Sequence, residues 1–221
     1  MKLKHKYKPQ HWRDLMMPSS LGARRVIERL FTKQECASDG LILHDTFADG
    51  GTGKSTMVQL FADQFTGKII KLDPSGNKVS ELDDLRKALE FNSGSGMFGI
   101  LPTLVLCHEI SESPISYING LRDIMDDYSH MTLFLFTDNH YKKLEKACPQ
   151  MFANQRCVAL DFDTVPTNEI KDYCYKILDD ESKEHTFINT LEANRKIIDQ
   201  LILINKSSIR GTITGMENNC I

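Results

Sequence analysis

The sequence predicts an α/β fold in which a five-stranded parallel sheet, covered by helices on both faces, precedes a small all-helical domain. Short apolar runs rich in β-branched and aromatic residues recur five times up to Phe162, and no further run of this kind follows. Segments with helical spacing separate these runs. Strands that alternate with helices pair in parallel, because each crossover helix returns the chain to the same edge of the sheet.

The strands and their connecting helices follow from local patterns. The predicted strands are Leu41–His44, Lys68–Leu72, Thr103–Cys107, Met131–Phe136 and Cys157–Phe162. One helix is predicted to begin at Ser80. The Ser80 hydroxyl can cap the helix, and Asp83 is the acidic residue three positions later. Another begins after Pro114, where an apolar residue recurs at every third position from Ile115 to Ile124.

Three helical stretches are predicted after the last strand. They are Thr167–Glu181, Lys183–Lys206 and Ser207–Asn218. Pro166 interrupts the pattern and Thr167 is a suitable N-cap, so we expect a domain boundary near Asp163–Pro166 that gives domains 1–163 and 164–221. The apolar positions expected to form a small bundle include Ile170, Tyr173, Ile177, Phe187, Leu191, Ile198 and Leu201.

Composition and charge narrow the class of protein. The chain has 221 residues, 41% of them hydrophobic, and this excludes a disordered, collagen-like or coiled-coil protein. No signal peptide is recognisable, and the apolar stretch Met97–Cys107 is too short to span a bilayer, so we expect a cytoplasmic protein with reduced cysteines. Residues 1–35 carry a net charge of +6 and the remainder −9, which indicates either a phosphate-facing or partner-facing strip or a solvated tail.

The most specific motif is a glycine-rich loop placed between the first strand and a helix. It reads Asp49-Gly50-Gly51-Thr52-Gly53-Lys54-Ser55-Thr56. Glycines allow successive backbone N–H groups to point at phosphate oxygens, Lys54 can reach the outer phosphates, and Ser55 can bind Mg²⁺. The first glycine of the G-x-x-x-x-G-K-[ST] pattern is replaced by Ala48. The loop therefore predicts a nucleotide site for ATP or ADP with Mg²⁺.

Together with this loop, five further motifs resemble those of the AAA+ ATPases, and within them the small phage-type clamp-loader subunits related to replication factor C. Lys6-Tyr7-Lys8-Pro9 followed by Trp12-Arg13-Asp14 resembles the family's opening motif. The resemblance implies that Tyr7 and Pro9 lie beside the adenine. It spans nearly the whole chain, but the family's helical collar has no counterpart before the sequence ends at Ile221.

The third strand leads into His108-Glu109, where the family has a Walker B motif that ends in Asp-Glu. The resemblance implies that Glu109 activates the attacking water. His108 stands where the aspartate that organises Mg²⁺ is expected, although a neutral imidazole neither neutralises Mg²⁺ nor offers it an oxygen ligand. The sequence therefore leaves open whether ATP is hydrolysed.

Three more positions match family motifs. Asn139, after the fourth strand, resembles the sensor 1 residue that positions water. Gln155-Arg156-Cys157 resembles the "SRC" motif, whose arginine reaches into the neighbouring subunit's ATP and stabilises phosphoryl charge. Ser208-Ile209-Arg210 resembles the sensor 2 helix, whose arginine reaches from the lid to the nucleotide.

The resemblance implies an ATP-driven module of a DNA polymerase sliding-clamp loader, in the host cytoplasm if a phage encodes it. Nucleotide binding would change the angle between sheet domain and lid, open a sliding clamp and grip primer-template DNA, in a homo- or hetero-oligomeric ring with other subunits. The alternatives are a non-hydrolysing AAA+ scaffold subunit, a helicase-loader type of AAA+ protein and, from another enzyme class, a P-loop nucleoside or nucleotide kinase.

Overall fold

The computed structural model describes residues 2–18, 20–45, 51–73, 79–94, 102–153, 156–162, 165–184, 187, 189–205 and 208–220. Five parallel strands form one sheet in the order β2-β3-β4-β1-β5. They are β1 (Gly40–His44), β2 (Lys68–Leu72), β3 (Thr103–Cys107), β4 (Thr132–Asp138) and β5 (Cys157–Asp161). This topology confirms the predicted fold class.

Nine helices accompany the sheet within the described ranges. They are α1 (Leu3–Lys6), α2 (Leu21–Lys33), α3 (Lys54–Gln64), α4 (Val79–Gly94), α5 (Ile115–Tyr128), α6 (Tyr141–Ala147), α7 (Thr167–Glu181), α8 (Leu191–Ile204) and α9 (Ile209–Asn219). None of those described helices is long and apolar enough to cross a membrane.

The central strands are apolar in their middle because helices cover both faces of the sheet. Leu41 and Leu43 of β1 pack with α2 and α3, whereas Ile42 between them packs with α4 and α5. Val105 of β3 and Phe134 of β4 lie on the same face as Ile42. Side chains that alternate between two buried faces leave no polar position in a strand, which explains why β1 and β3 read as continuous apolar runs.

The last three helices form a bundle with a core of their own, as the sequence predicts. Ile170, Ile177 and Ile198 are completely or almost completely buried in it. Leu191 is instead 42% exposed, because it is the first residue of α8 and faces solvent. We call α7, α8 and α9 together the lid.

Two predicted helix starts are wrong. The second lid helix begins at Leu191 and not at Lys183, because Thr190 caps it by accepting a hydrogen bond from the Ala193 N–H at 3.2 Å. Helix α4 begins at Val79, so Ser80 lies inside the helix instead of capping it. The Glu81 carboxylate accepts a hydrogen bond from the Asp73 N–H at 2.9 Å and ties this end of α4 to the end of β2.

Residues 2–9, which we call the N-terminal strap, pack against the lid. Leu3 is 4% exposed and lies in the lid core, and its N–H donates to the Glu217 carboxylate. The Tyr7 hydroxyl donates to the buried Glu181 carboxylate at 2.8 Å, and Lys6 pairs with the same carboxylate at 2.8 Å. Burial and then this hydrogen bond raise the pKa of Tyr7 to about 12, so the phenol remains a donor. The two ends of the chain are therefore joined.

We predict that Leu3→Ala lowers the free energy of unfolding by about 2–3 kcal/mol, because it removes a buried side chain from the lid core. Leu21→Ala is the matched control, since Leu21 is 71% exposed and its truncation should change stability by less than about 0.5 kcal/mol. Urea unfolding of both variants measures the difference. Equal losses would show that the strap does not contribute to the lid core.

Candidate functional site

The candidate site lies at the edge of the sheet where β1, β3 and β4 end. The glycine-rich loop follows β1, and α3 begins at its Lys54. Gly53 is the N-cap of α3 with φ of +102°, and Gly51 has φ of +89°. These backbone conformations need glycine and turn the chain sharply at the helix N-terminus. Ala48, Asp49 and Gly50 lie outside the described residues.

The ammonium group of Lys54 is buried at the centre of this edge. The Lys54 side chain is only 5% exposed, and its Nζ pairs with the carboxylate of Asp45, the residue that follows β1. Nζ also donates to the Asn139 side-chain carbonyl at 2.8 Å. The Thr52 hydroxyl donates to the same Asp45 carboxylate at 2.8 Å. One carboxylate thus holds two side chains of the loop.

Glu109 and Asn139, both predicted as catalytic, contact each other. The Asn139 side-chain NH₂ donates to one Glu109 carboxylate oxygen at 2.8 Å, and its backbone N–H donates to the other at 3.1 Å. Glu109 has φ of +51°, which is unusual for a residue with a side chain and places it at the sheet edge. Burial raises the pKa of Glu109, and the Asn139 N–H and the charge of Lys54 oppose that rise.

His108, predicted as a metal ligand, is directed elsewhere. Its Nδ1 lies 3.2 Å from the Thr137 hydroxyl of β4, and part of the side chain is exposed to solvent. Burial of the ring and then the charge of Lys71 lower the pKa of His108, so the imidazole is neutral at pH 7. His108 does not line the cavity described next, whereas Glu109 does.

A cavity of about 500 Å³ opens between the loop, the N-terminal strap and the lid. Gly51 to Thr56 form one wall, and the predicted adenine contacts Tyr7 and Pro9 line another. Apolar side chains also line it, namely Leu15 and Met16, which follow the strap, and Tyr173, Ile209 and Ile213 of the lid. Its basic lining residues are Lys4, His5, Lys8, Lys54 and Arg210. The structure therefore brings together all of the described residues predicted to bind the nucleotide.

The lid touches the glycine-rich loop directly. The Arg210 N–H donates to the Gly51 carbonyl at 3.3 Å, so the first turn of α9 rests on the loop. A Cβ atom on Gly51 would lie 2.5 Å from the Ser208 hydroxyl and 3.1 Å from the Arg210 Cβ. Gly51 is therefore required both for its backbone conformation and for this close approach.

Arg156 lies away from the cavity. It precedes β5, and because the strands are parallel this position is at the amino edge of the sheet, opposite the cavity. Its guanidinium binds both carboxylate oxygens of Asp126 at 2.5 and 3.0 Å and donates to the Gln150 carbonyl at 2.6 Å. Arg156 therefore cannot contact a nucleotide bound in the cavity of its own chain.

No family model matches the chain, and no curated protein matches it. Among solved structures, the chain is similar to a single-substitution variant of the AAA+ ATPase RuvB from Thermotoga maritima, with a TM-score of 0.56 and 13% sequence identity. The match covers 96% of this chain and 72% of the RuvB chain. The chain has the fold of an AAA+ ATPase. At this identity the likeness concerns the fold.

Sequence reasoning missed Asp45. The motif pattern starts at Ala48, and an acidic residue three positions earlier reads as the end of a strand. The available signal was its placement directly after a continuous apolar run, because strand ends of a parallel sheet meet at the edge where ligands bind. In the AAA+ fold of this chain, that position brings Asp45 to Lys54.

We predict that Gly51→Ala destabilises the protein more than Gly53→Ala. Both glycines have positive φ, so each alanine costs about 1 kcal/mol in backbone strain. Only the Gly51 substitution also pushes against Ser208 and Arg210, since a Cβ on Gly53 would meet nothing within 4 Å. Thermal unfolding of the two variants measures the difference, and equal losses would mean that the lid does not press on the loop.

Proposed function

We propose that this protein is an ATP-binding and ATP-hydrolysing AAA+ module of a sliding-clamp loader. The observation that carries the proposal is the position of Lys54, which lines a cavity between the glycine-rich loop, the N-terminal strap and the lid. A cavity of about 500 Å³ falls within the range of roughly 300–1,000 Å³ that is typical of small-molecule sites. Its basic lining suits a polyphosphate, and its apolar lining suits a base.

The loop and the start of α3 would hold the phosphates. The backbone N–H groups from Gly51 onward and the N-terminus of α3 favour anions, and Lys54 adds a positive charge. Arg210 would reach the nucleotide from the lid. The exposed hydroxyl of Ser55, next to Lys54, provides an oxygen ligand of the kind that Mg²⁺ prefers. When bound, Mg²⁺ supplies positive charge that neutralises phosphate oxygens.

For hydrolysis, Glu109 would accept a proton from water and Asn139 would orient that water. In the structure, the Asn139 side-chain NH₂ and backbone N–H both donate to the Glu109 carboxylate. The Asn139 side-chain carbonyl accepts a hydrogen bond from Lys54. A phosphate that draws Lys54 away from Asn139, while Lys54 stays beside Asp45, would free Asn139 to turn towards a water molecule. Nucleotide binding would thus also release Asn139 and Glu109 for catalysis.

The second candidate function is an AAA+ scaffold subunit that binds ATP without hydrolysing it. The observation that favours it is His108, a neutral ring directed at Thr137 where an aspartate would organise Mg²⁺. The two candidates share the nucleotide site and differ only in turnover. A steady-state ATPase assay therefore separates them.

The clamp-loader role rests on the sequence motifs and on two structural features that support it. The contact between Gly51 and α9 gives nucleotide a direct way to move the lid, because phosphates bound by the loop would press on the same turn. Arg156 faces away from its own cavity, so a role at a nucleotide would be in a neighbouring subunit and would require its guanidinium to leave Asp126. Other subunits, a sliding clamp and primer-template DNA are the expected partners.

We predict that Glu109→Gln lowers ATP turnover by at least about 100-fold, as expected for loss of a general base, and leaves nucleotide affinity unchanged. Lys54→Ala should strongly weaken nucleotide binding itself, because it removes the cation that lines the cavity. His108→Asp should raise turnover, because it restores an acidic oxygen ligand near Mg²⁺. Phosphate release with and without primed DNA measures turnover, and isothermal titration calorimetry with ADP measures binding. Turnover insensitive to Glu109→Gln would contradict the hydrolytic assignment, and no turnover in any condition would favour the scaffold.

We also predict that Arg156→Ala leaves nucleotide binding by the isolated chain unchanged and removes the turnover that appears only on assembly. Arg122→Ala is the matched control, because Arg122 is a neighbouring arginine that donates to Gln150 and Asp123 and belongs to no motif. Native mass spectrometry with ATP and Mg²⁺ establishes the assembly in which turnover is compared. Equal turnover of the Arg156 variant and the wild type in that assembly would contradict a role in trans.

A further inference from the structure

Asp45 is a buried acid that the proposed mechanism does not use. Its side chain is completely buried, and it contacts the two loop residues Lys54 and Thr52 through one carboxylate oxygen. The other oxygen is buried and has no hydrogen-bond partner among the described residues. Lys54 lines the cavity and Asp45 does not, so the ammonium group stands between the carboxylate and any ligand.

This arrangement cancels the charge of the cation on which phosphate binding depends. A lysine that faces phosphates is most effective when its charge is unpaired, whereas here a carboxylate in contact with Nζ neutralises it. Moving Lys54 fully onto a phosphate would leave a buried carboxylate without a compensating charge, which is strongly unfavourable. Lys54 must therefore remain close to Asp45 while it binds a ligand, and the carboxylate stays near the phosphates.

We propose that Asp45 is an internal counter-ion that weakens nucleotide binding and makes the site select Mg²⁺-bound nucleotide over metal-free nucleotide. The proposal rests on the nucleotide-binding function given above and names a regulator of its affinity. Repulsion between Asp45 and a ligand grows with the ligand's negative charge. Metal-free ADP carries about three negative charges and the Mg²⁺ complex about one at neutral to weakly alkaline pH, so the carboxylate penalises the metal-free form more.

The test compares ADP binding by the wild type and by Asp45→Asn, in excess Mg²⁺ and in EDTA, by isothermal titration calorimetry. Asparagine keeps the size and the hydrogen-bonding shape of the side chain and removes its charge. We expect ADP to bind about tenfold more tightly to the variant in EDTA but only about twofold more tightly in Mg²⁺, in proportion to ligand charge. ADP is used because the protein does not hydrolyse it, so calorimetry measures the affinity alone.

Asp138→Asn is the matched control. Asp138 is also completely buried at the same edge of the sheet, but its carboxylate accepts hydrogen bonds from Ser111 and from the His140 N–H and does not contact Lys54. The same substitution there should change ADP affinity much less. An equal change in both variants would show that the effect is not specific to the counter-ion, and would overturn the proposal.

Other results would also overturn it. Weaker ADP binding by Asp45→Asn would mean that Asp45 orients Lys54 for phosphates, and equal tightening in Mg²⁺ and EDTA would mean that it only shapes the loop. If the wild type binds ADP and Asp45→Asn binds it identically, this proposal fails and the nucleotide-binding function stands. If neither protein binds ADP, both fail.

If Asp45→Asn does not fold, a second pair of variants tests the same effect of the Asp45 carboxylate on ADP binding. Lys54→Gln and the double variant Asp45→Asn/Lys54→Gln both lack the cation, and the double variant has two neutral polar side chains at these positions. We expect the double variant to bind metal-free ADP more tightly than Lys54→Gln, because the remaining carboxylate repels phosphates directly. Equal or weaker binding by the double variant would overturn the proposal.

Discussion

The structure around the site depends on the buried ammonium group of Lys54. It joins the end of β1 through Asp45 to the end of β4 through Asn139, and Asn139 in turn holds Glu109 at the end of β3. A buried charge must keep partners, and here Asp45 balances the charge while Asn139 is a group that the proposed chemistry needs. A ligand that competes for Lys54 would therefore change the environment of every one of them.

The second constraint is that the lid is in direct contact with the glycine-rich loop. Helix α9 begins against Gly51, and the N-terminal strap is fixed to the lid by Leu3 and by the bonds of Tyr7 and Lys6 to Glu181. Three separate parts of the chain thus surround one cavity. A change in the loop would be transmitted to the lid and the strap by direct contact, which is the coupling that a nucleotide-driven device requires.

Much of this was predictable from sequence, for identifiable reasons. The strands were predictable because both faces of the sheet are buried, and the loop because its chemistry requires glycine, lysine and a hydroxyl at fixed spacing. The role of Asp45 was not, because it depends on which strand ends lie side by side. The partner of Arg156 was not either, since Asp126 lies thirty residues away and meets it only through the packing of α5 against the sheet. The start of α8 was missed because the N-cap at Thr190, which fixes it, was not recognised in the sequence.

Nucleotide phosphates are expected to bind at Lys54, inside the cavity between the loop and the lid. A crystal structure of the protein with Mg²⁺ and a non-hydrolysable ATP analogue tests this most directly. We expect phosphate oxygens within hydrogen-bond distance of Lys54 Nζ and the base among the apolar side chains of strap and lid, with Asp45 still beside the ammonium group. A nucleotide bound elsewhere, or one in the cavity whose phosphates do not contact Lys54, would contradict the account.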